Sequence, residues 1–166
     1  MLIKRVIPVL LTDSRGSLVK TRKFKDPVYV GDPFNAVNIF NALAQATNQG
    51  LAASIHDCSD GGLAAAVAEM AFSGELGATV ELNRVHYSGE GREDKILFSE
   101  SNSRFLVEVS PQNQRRFEKI LEKISYSVIG RVEAELFLKI SDLKNQTCVD
   151  SSIWDLKESW QKPLRW

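Results

Sequence analysis

The sequence predicts an α/β (α+β) fold in which a mixed sheet is covered by helices, and three observations predict it. Short apolar or alternating runs recur at residues 6–11, 51–55, 78–82 and 104–109, as strands require. Longer stretches with helical recurrence separate these runs, so strands and helices interleave. The 166 residues are 43% hydrophobic and 25% charged. That balance is ordinary for a soluble globular chain, and one of this length buries about 70% of its unfolded surface. One domain is expected, or one domain with an added segment.

Residues 6–11 read as a buried strand, and Asp13-Ser14-Arg15-Gly16-Ser17 as a hairpin-like turn into Leu18-Val19. Asp32 is expected to cap a helix whose first turn accepts Pro33, and Gly50 is its natural stop. Phe34, Val37, Phe40 and Leu43, at three-residue steps, are expected to form the core face of that helix. Residues 51–55 then form a strand and residues 63–72 an alanine-rich helix. Gly74 and Gly77 punctuate a turn before the strand at 78–82, and a polar loop follows over residues 83–94. His86 lies in that loop and receives no role. Residues 104–109 alternate as a strand, Ser110 and Pro111 open a helix carrying Phe117, Ile120, Leu121 and Ile124, and strands follow at 128–132 and 136–140. A last helix is expected near residues 152–160, docked onto the sheet by Trp154 and Trp160.

Twenty-one basic residues balance 21 acidic ones, so charge points to neither nucleic acid nor an anionic membrane. The basic run Lys20-Thr21-Arg22-Lys23-Phe24-Lys25 reads as a solvated loop. Cys58 and Cys148 stand far apart without a CxxC, which suits reduced thiols. A zinc site from His56, Cys58 and His86 is disfavoured by spacing. Residues 6–11 are too short for a signal peptide, and no run approaches the roughly eighteen apolar residues of a membrane span. The expected location is the cytoplasm.

The densest chemistry lies in Ile55-His56-Asp57-Cys58-Ser59-Asp60-Gly61-Gly62-Leu63, at the junction between a strand and a helix. Helix starts present outward-facing amide donors. Paired glycines let backbone approach a ligand closely, and Asp57 and Asp60 are hard oxygen donors of the kind Mg²⁺ takes. Carboxylates alone repel phosphate, so the acids argue for a metal-bound nucleotide over a bare anion. The same residues also fit a plain helix start, with Ser59 or Asp60 as N-cap and Gly61-Gly62 as a tight turn.

The string His56-Asp57-Cys58-Ser59-Asp60-Gly61-Gly62-Leu63, followed by Ala68-Glu69-Met70-Ala71, resembles the signature of phosphoribosylformylglycinamidine synthase (FGAM synthase), in its second carboxy-terminal, AIR synthase-like module. The resemblance continues through Leu97-Phe98-Ser99-Glu100-Ser101 with Arg104-Phe105, then Ile129-Gly130-Arg131-Val132, and on to Trp154-Asp155-Leu156 and Pro163-Leu164. It implies one wall of an ATP-dependent carbon–nitrogen ligase cleft of purine synthesis, inactive alone. In that enzyme, ATP phosphorylates an amide oxygen and ammonia then displaces the phosphate. The implied ligands are ATP or ADP with Mg²⁺. The implied partners are the remaining synthase domains, a glutaminase component or a second copy. The nucleotide and phosphate residues it implies are Asp57, Ser59, Asp60, Gly61, Gly62, Glu100, Ser101 and Arg104, with Asp57 also the metal ligand. For Glu100 and Arg104 an internal ion pair is the competing expectation.

Residues 1–41 depart from that pattern. Met1-Leu2-Ile3-Lys4-Arg5-Val6-Ile7-Pro8, Leu18-Val19-Lys20 and Gly31-Asp32-Pro33 resemble the first βα unit of the cyclase subunit of imidazole glycerol phosphate synthase, a (β/α)8 barrel. That pattern carries a catalytic aspartate where this chain has Leu11, and one βα unit cannot close a barrel. The expectation is a barrel-like segment over residues 1–41, packed on an AIR synthase C-terminal-like domain over residues 42–166. The strand at 6–11 and the following helix would then complete the sheet and cover it. A non-enzymatic chimeric or truncated scaffold, and a sugar-phosphate-binding fragment using Lys20, are the competing functions.

Overall fold

The computed structural model describes residues 7–11, 17–20, 27–30, 33–87 and 91–165. In chain order the elements are β1 (Ile7–Leu11), β2 (Ser17–Lys20), β3 (Pro27–Val30), α1 (Pro33–Asn48), β4 (Ala52–Asp57), α2 (Gly62–Gly74), β5 (Gly77–Glu81), α3 (Glu93–Phe98), β6 (Phe105–Val109), α4 (Gln114–Ile120), β7 (Tyr126–Val128), β8 (Gly130–Glu133), β9 (Phe137–Ser141), β10 (Thr147–Ser152) and α5 (Ile153–Gln161). The fold is mixed α/β, as the interleaved pattern predicts. Its strands divide into two four-stranded sheets and a hairpin instead of one sheet.

The first sheet runs β4-β6-β1-β7 and is antiparallel throughout. β1 is an inner strand, pairing with β6 from Ile7↔Val109 to Leu11↔Phe105. Residue 41 falls inside α1, which runs unbroken to Asn48. The second sheet, β10-β9-β5-β8, is mixed, because β5 and β9 are parallel while its other pairs are antiparallel. The hairpin pairs β2 with β3. The expected turn at residues 13–16, the Asp32 cap and most of the basic run lie outside the described residues, as does the Lys20 side chain.

Strand alternation in β6 divides the interior. Val107 and Val109 meet Ile39, Leu43 and Ala46 of α1 and Phe117 of α4, whereas Leu106 faces the other way, into a core of Leu63 and Val67 from α2, Val80 from β5 and Ile140 from β9. A strand buried on both faces shows this pattern.

The core face of α1 corrects the sequence reading. Val37 and Phe40 are 56% and 51% exposed, while Ile39, Ala42, Leu43 and Ala46 are buried. A three-residue step falls short of the 3.6-residue turn by about 60° each time, so it drifts around the helix. The buried set follows i, i+3, i+4 and i+7 instead. The last helix is also corrected. It packs on α2, where the Trp160 ring lies 5.8 Å from the Phe72 ring; both tryptophans stay half-exposed, Trp154 beneath the Lys157 ammonium.

Candidate functional site

Among the described strands β4 lies at the edge of its sheet, and its residues alternate between half-buried and exposed up to Asp57. His56, opposite Leu106, points toward α2. Asp57, opposite Phe105, points to the other face and leaves 60% of its side chain in solvent. One residue later Cys58 is 3% exposed, and its amide donates to the Arg104 carbonyl at 2.9 Å. Burial pushes the Cys58 thiol up to about 11, well away from a reactive thiolate. A thiol reagent is therefore expected to label the exposed Cys148 in the native chain and to reach Cys58 only in denaturant, countable by absorbance.

The turn into α2 uses both glycines with positive φ, 76° at Gly61 and 63° at Gly62. Gly62 donates to the Ser59 carbonyl at 3.0 Å. The helix has no side-chain cap, so neither Ser59 nor Asp60 plays the N-cap role that a plain helix start assigns them. Instead, the Ser59 side chain hydrogen-bonds the Asp57 carboxylate and holds its pKa below the ordinary carboxylate range. A charge-assisted bond of this kind favours the ionised acid. Ser59 and Asp60 are exposed.

The second corner meets this loop from α3. Glu100 accepts from the Gly61 amide at 2.9 Å, placing its carboxylate at the positive end of α2. Ser101 is half-buried and pairs with Ser99 through their hydroxyls at 2.7 Å. Arg104 is 8% exposed and donates to the carbonyls of Ser99 at 2.8 Å and Ile96 at 3.3 Å. Its guanidinium thus ties the end of α3 to β6, and burial lowers its pKa. The ion pair expected between Arg104 and Glu100 does not form, because each group has a main-chain partner. Nor does Arg104 present a cation to the mouth, as a phosphate contact requires.

Asp57, Ser59, Asp60, Gly61, Gly62 and Glu100 therefore gather around the α2 start, with Ser101 and Arg104 building the corner behind them. Sequence reasoning missed a network beside them. His56 Nε2 lies 2.8 Å from Glu69 Oε2, and Trp160 Nε1 donates to Glu69 Oε1 at 3.0 Å. The only available signal was that His56 and Glu69 share one motif, and no spacing rule pairs a strand residue with a helix residue thirteen positions on.

Among the described residues, no three His, Cys, Asp or Glu side chains gather into a metal cluster. Mg²⁺ is commonly held by one or two carboxylates plus phosphate oxygens and water, so a single exposed carboxylate fits that ion as a partial ligand. Two loop amides are already engaged, and Glu100 stands beside them. A phosphate here needs a cation to offset the carboxylates.

The fold and this corner define an α/β module with an acidic, glycine-paired strand-to-helix mouth. The chain belongs to the family of AIR synthase related proteins, C-terminal domain, which matches residues 11–141. It is 36% identical over 119 residues to the phosphoribosylformylglycinamidine synthase subunit PurL of Synechocystis, covering 70% of this chain and 15% of that protein. Its fold matches Thermotoga maritima PurL complexed with FGAR (TM-score 0.77, 26% identity, 92% of this chain and 28% of that one). It matches the ATP complex similarly (TM-score 0.75, 27% identity, 92% and 25%). The PurLQS structure from T. maritima also matches, with TM-score 0.76 and 28% identity over 92% of this chain and 26% of that one. The chain thus spans about 15% of the length of the curated relative it matches. No helix among the described residues is long and apolar enough to cross a membrane.

Proposed function

We propose that this module forms one wall of the Mg-nucleotide cleft of a phosphoribosylformylglycinamidine synthase, in cytoplasmic purine biosynthesis. The observation that carries the reading is the Asp57 carboxylate, ionised, solvent-facing and beside the uncapped start of α2. Support comes from T. maritima PurL, which is described in complex with ATP and, separately, with FGAR.

In this reading Asp57 offers an oxygen to the metal, and Ser59 keeps that oxygen aimed and ionised. Gly61 and Gly62 let the ligand reach the main chain, and Glu100 braces the Gly61 amide. Bound Mg²⁺ supplies charge neutralisation for the phosphate oxygens during phosphoryl transfer. The module turns over no substrate alone. The other half of the cleft comes from the remaining synthase domains, and ammonia comes from a glutaminase component. The PurLQS assembly of the T. maritima relative is consistent with such partners.

Calorimetry with Mg-ADP tests this. Wild type is expected to give weak saturable heat, and Asp57→Ala to lose about tenfold in affinity, the scale of one charge-assisted contact. Equal heats for the two proteins would remove Asp57 from the site. Asp57 titrates below the ordinary carboxylate value, so it stays ionised across neutral and mildly acidic pH. Its share of the binding is expected to persist there and to fade only as pH falls through the lowered value.

A further inference from the structure

We propose that Glu69 is a positioning residue for the Asp57 mouth, tying it through His56 to the C-terminal helix at Trp160. The inference rests on the nucleotide reading of that mouth and adds to it a control point outside the loop itself.

Three elements converge on one carboxylate. Glu69, on α2, uses one oxygen for His56 of β4 at 2.8 Å and the other for the indole N–H of Trp160, on α5, at 3.0 Å. The Trp160 ring rests against the buried Phe72, so the indole is seated at the outer edge of the α2–α5 contact, with half of the residue in solvent. At the other end, His56 Nδ1 lies 2.6 Å from the main-chain oxygen of Asp57. Both ring nitrogens therefore face oxygen acceptors, which fixes the plane of the imidazole. The peptide it holds leads directly from Asp57 to Cys58, so its orientation sets the backbone torsion that aims the Asp57 side chain. His56 meets the acid in two ways, through that carbonyl and through Nδ1, which lies 3.8 Å from the Asp57 carboxylate.

Trp160 also lies beyond residues 11–141, the span of the family match.

Trp160→Phe keeps a ring on Phe72 and removes only the N–H, which makes it the cleanest variant. In the ligand-free full chain, amide exchange of residues 57–62 is expected to speed about fivefold, the net worth of one solvent-exposed hydrogen bond, with exchange in β5 unchanged. Unchanged exchange at residues 57–62 would overturn the positioning role. Adding Mg-ADP to wild type is expected to move the Trp160 indole N–H resonance. In Glu69→Gln that response is expected to vanish while the fold, read by melting, persists. A purely structural carboxylate would leave the ligand response in place, and an indole that responds equally in Glu69→Gln would sink the proposal. If the exchange result holds but wild type gives no heat with Mg-ADP, the nucleotide reading fails and the coupling through Glu69 stands.

Discussion

Gly62→Ala is expected to lower the melting temperature by roughly 10 °C, for a loss of about 3 kcal/mol. Two costs combine. The residue sits at φ 63°, where an L side chain is strained. An added Cβ would stand 2.7 Å from the Ser99 carbonyl oxygen, 2.8 Å from that of Leu97 and 2.9 Å from the Phe98 carbonyl carbon. All three are backbone atoms, which yield less readily than the tip of a flexible side chain. The control is Gly74→Ala at the far end of the same helix, where nothing lies within 4 Å of the added carbon. Helix propensity there favours alanine by up to about 1 kcal/mol. Circular dichroism melts of the two variants should shift in opposite directions. Equal small shifts would show that the α3 corner can retreat from α2, and that the close approach at Gly62 is soft.

Arg104→Ala is expected to cost about 3 kcal/mol in urea unfolding. Two effects oppose each other, because removing a buried cation also removes its desolvation cost. Among the described residues Arg104 has no carboxylate partner to offset that cost, so the relief roughly balances the loss of its two charge-assisted bonds. What remains unbalanced is the space left by the stem and the two carbonyls, Ser99 and Ile96, stripped of a donor. Arg104→Met separates these contributions, since it refills the volume without restoring a hydrogen bond. Recovery of about half the loss would assign the rest to the carbonyls. Full recovery would make Arg104 a packing residue alone.

The strand–loop–helix corner was legible because its signals are local. An apolar run, a polar string and two glycines followed by alanines specify a turn whatever surrounds it. The inner strand, observed at Ile7–Leu11, was legible for the same reason. Other features depend on neighbours distant in sequence. β10 reads Thr-Cys-Val-Asp-Ser-Ser and is half-exposed or exposed along its length, so it has no apolar stripe to announce it and exists through its pairing with β9. Arg104 looks like a surface cation in a polar stretch, and its burial follows from carbonyls that α3 brings to it. The helix that ends in Trp160 was visible, but its resting place was not, since an amphipathic face names no partner.

Among the described residues, the strand that carries Asp57 pairs on one flank only, with β6, which leaves on the other a row of peptide groups that another extended segment can meet. Any polypeptide that zips along that flank from residue 52 ends beside the acid and shuts water away from it. Closing the sheet and drying the carboxylate are then a single event, and drying strengthens every electrostatic contact the acid makes.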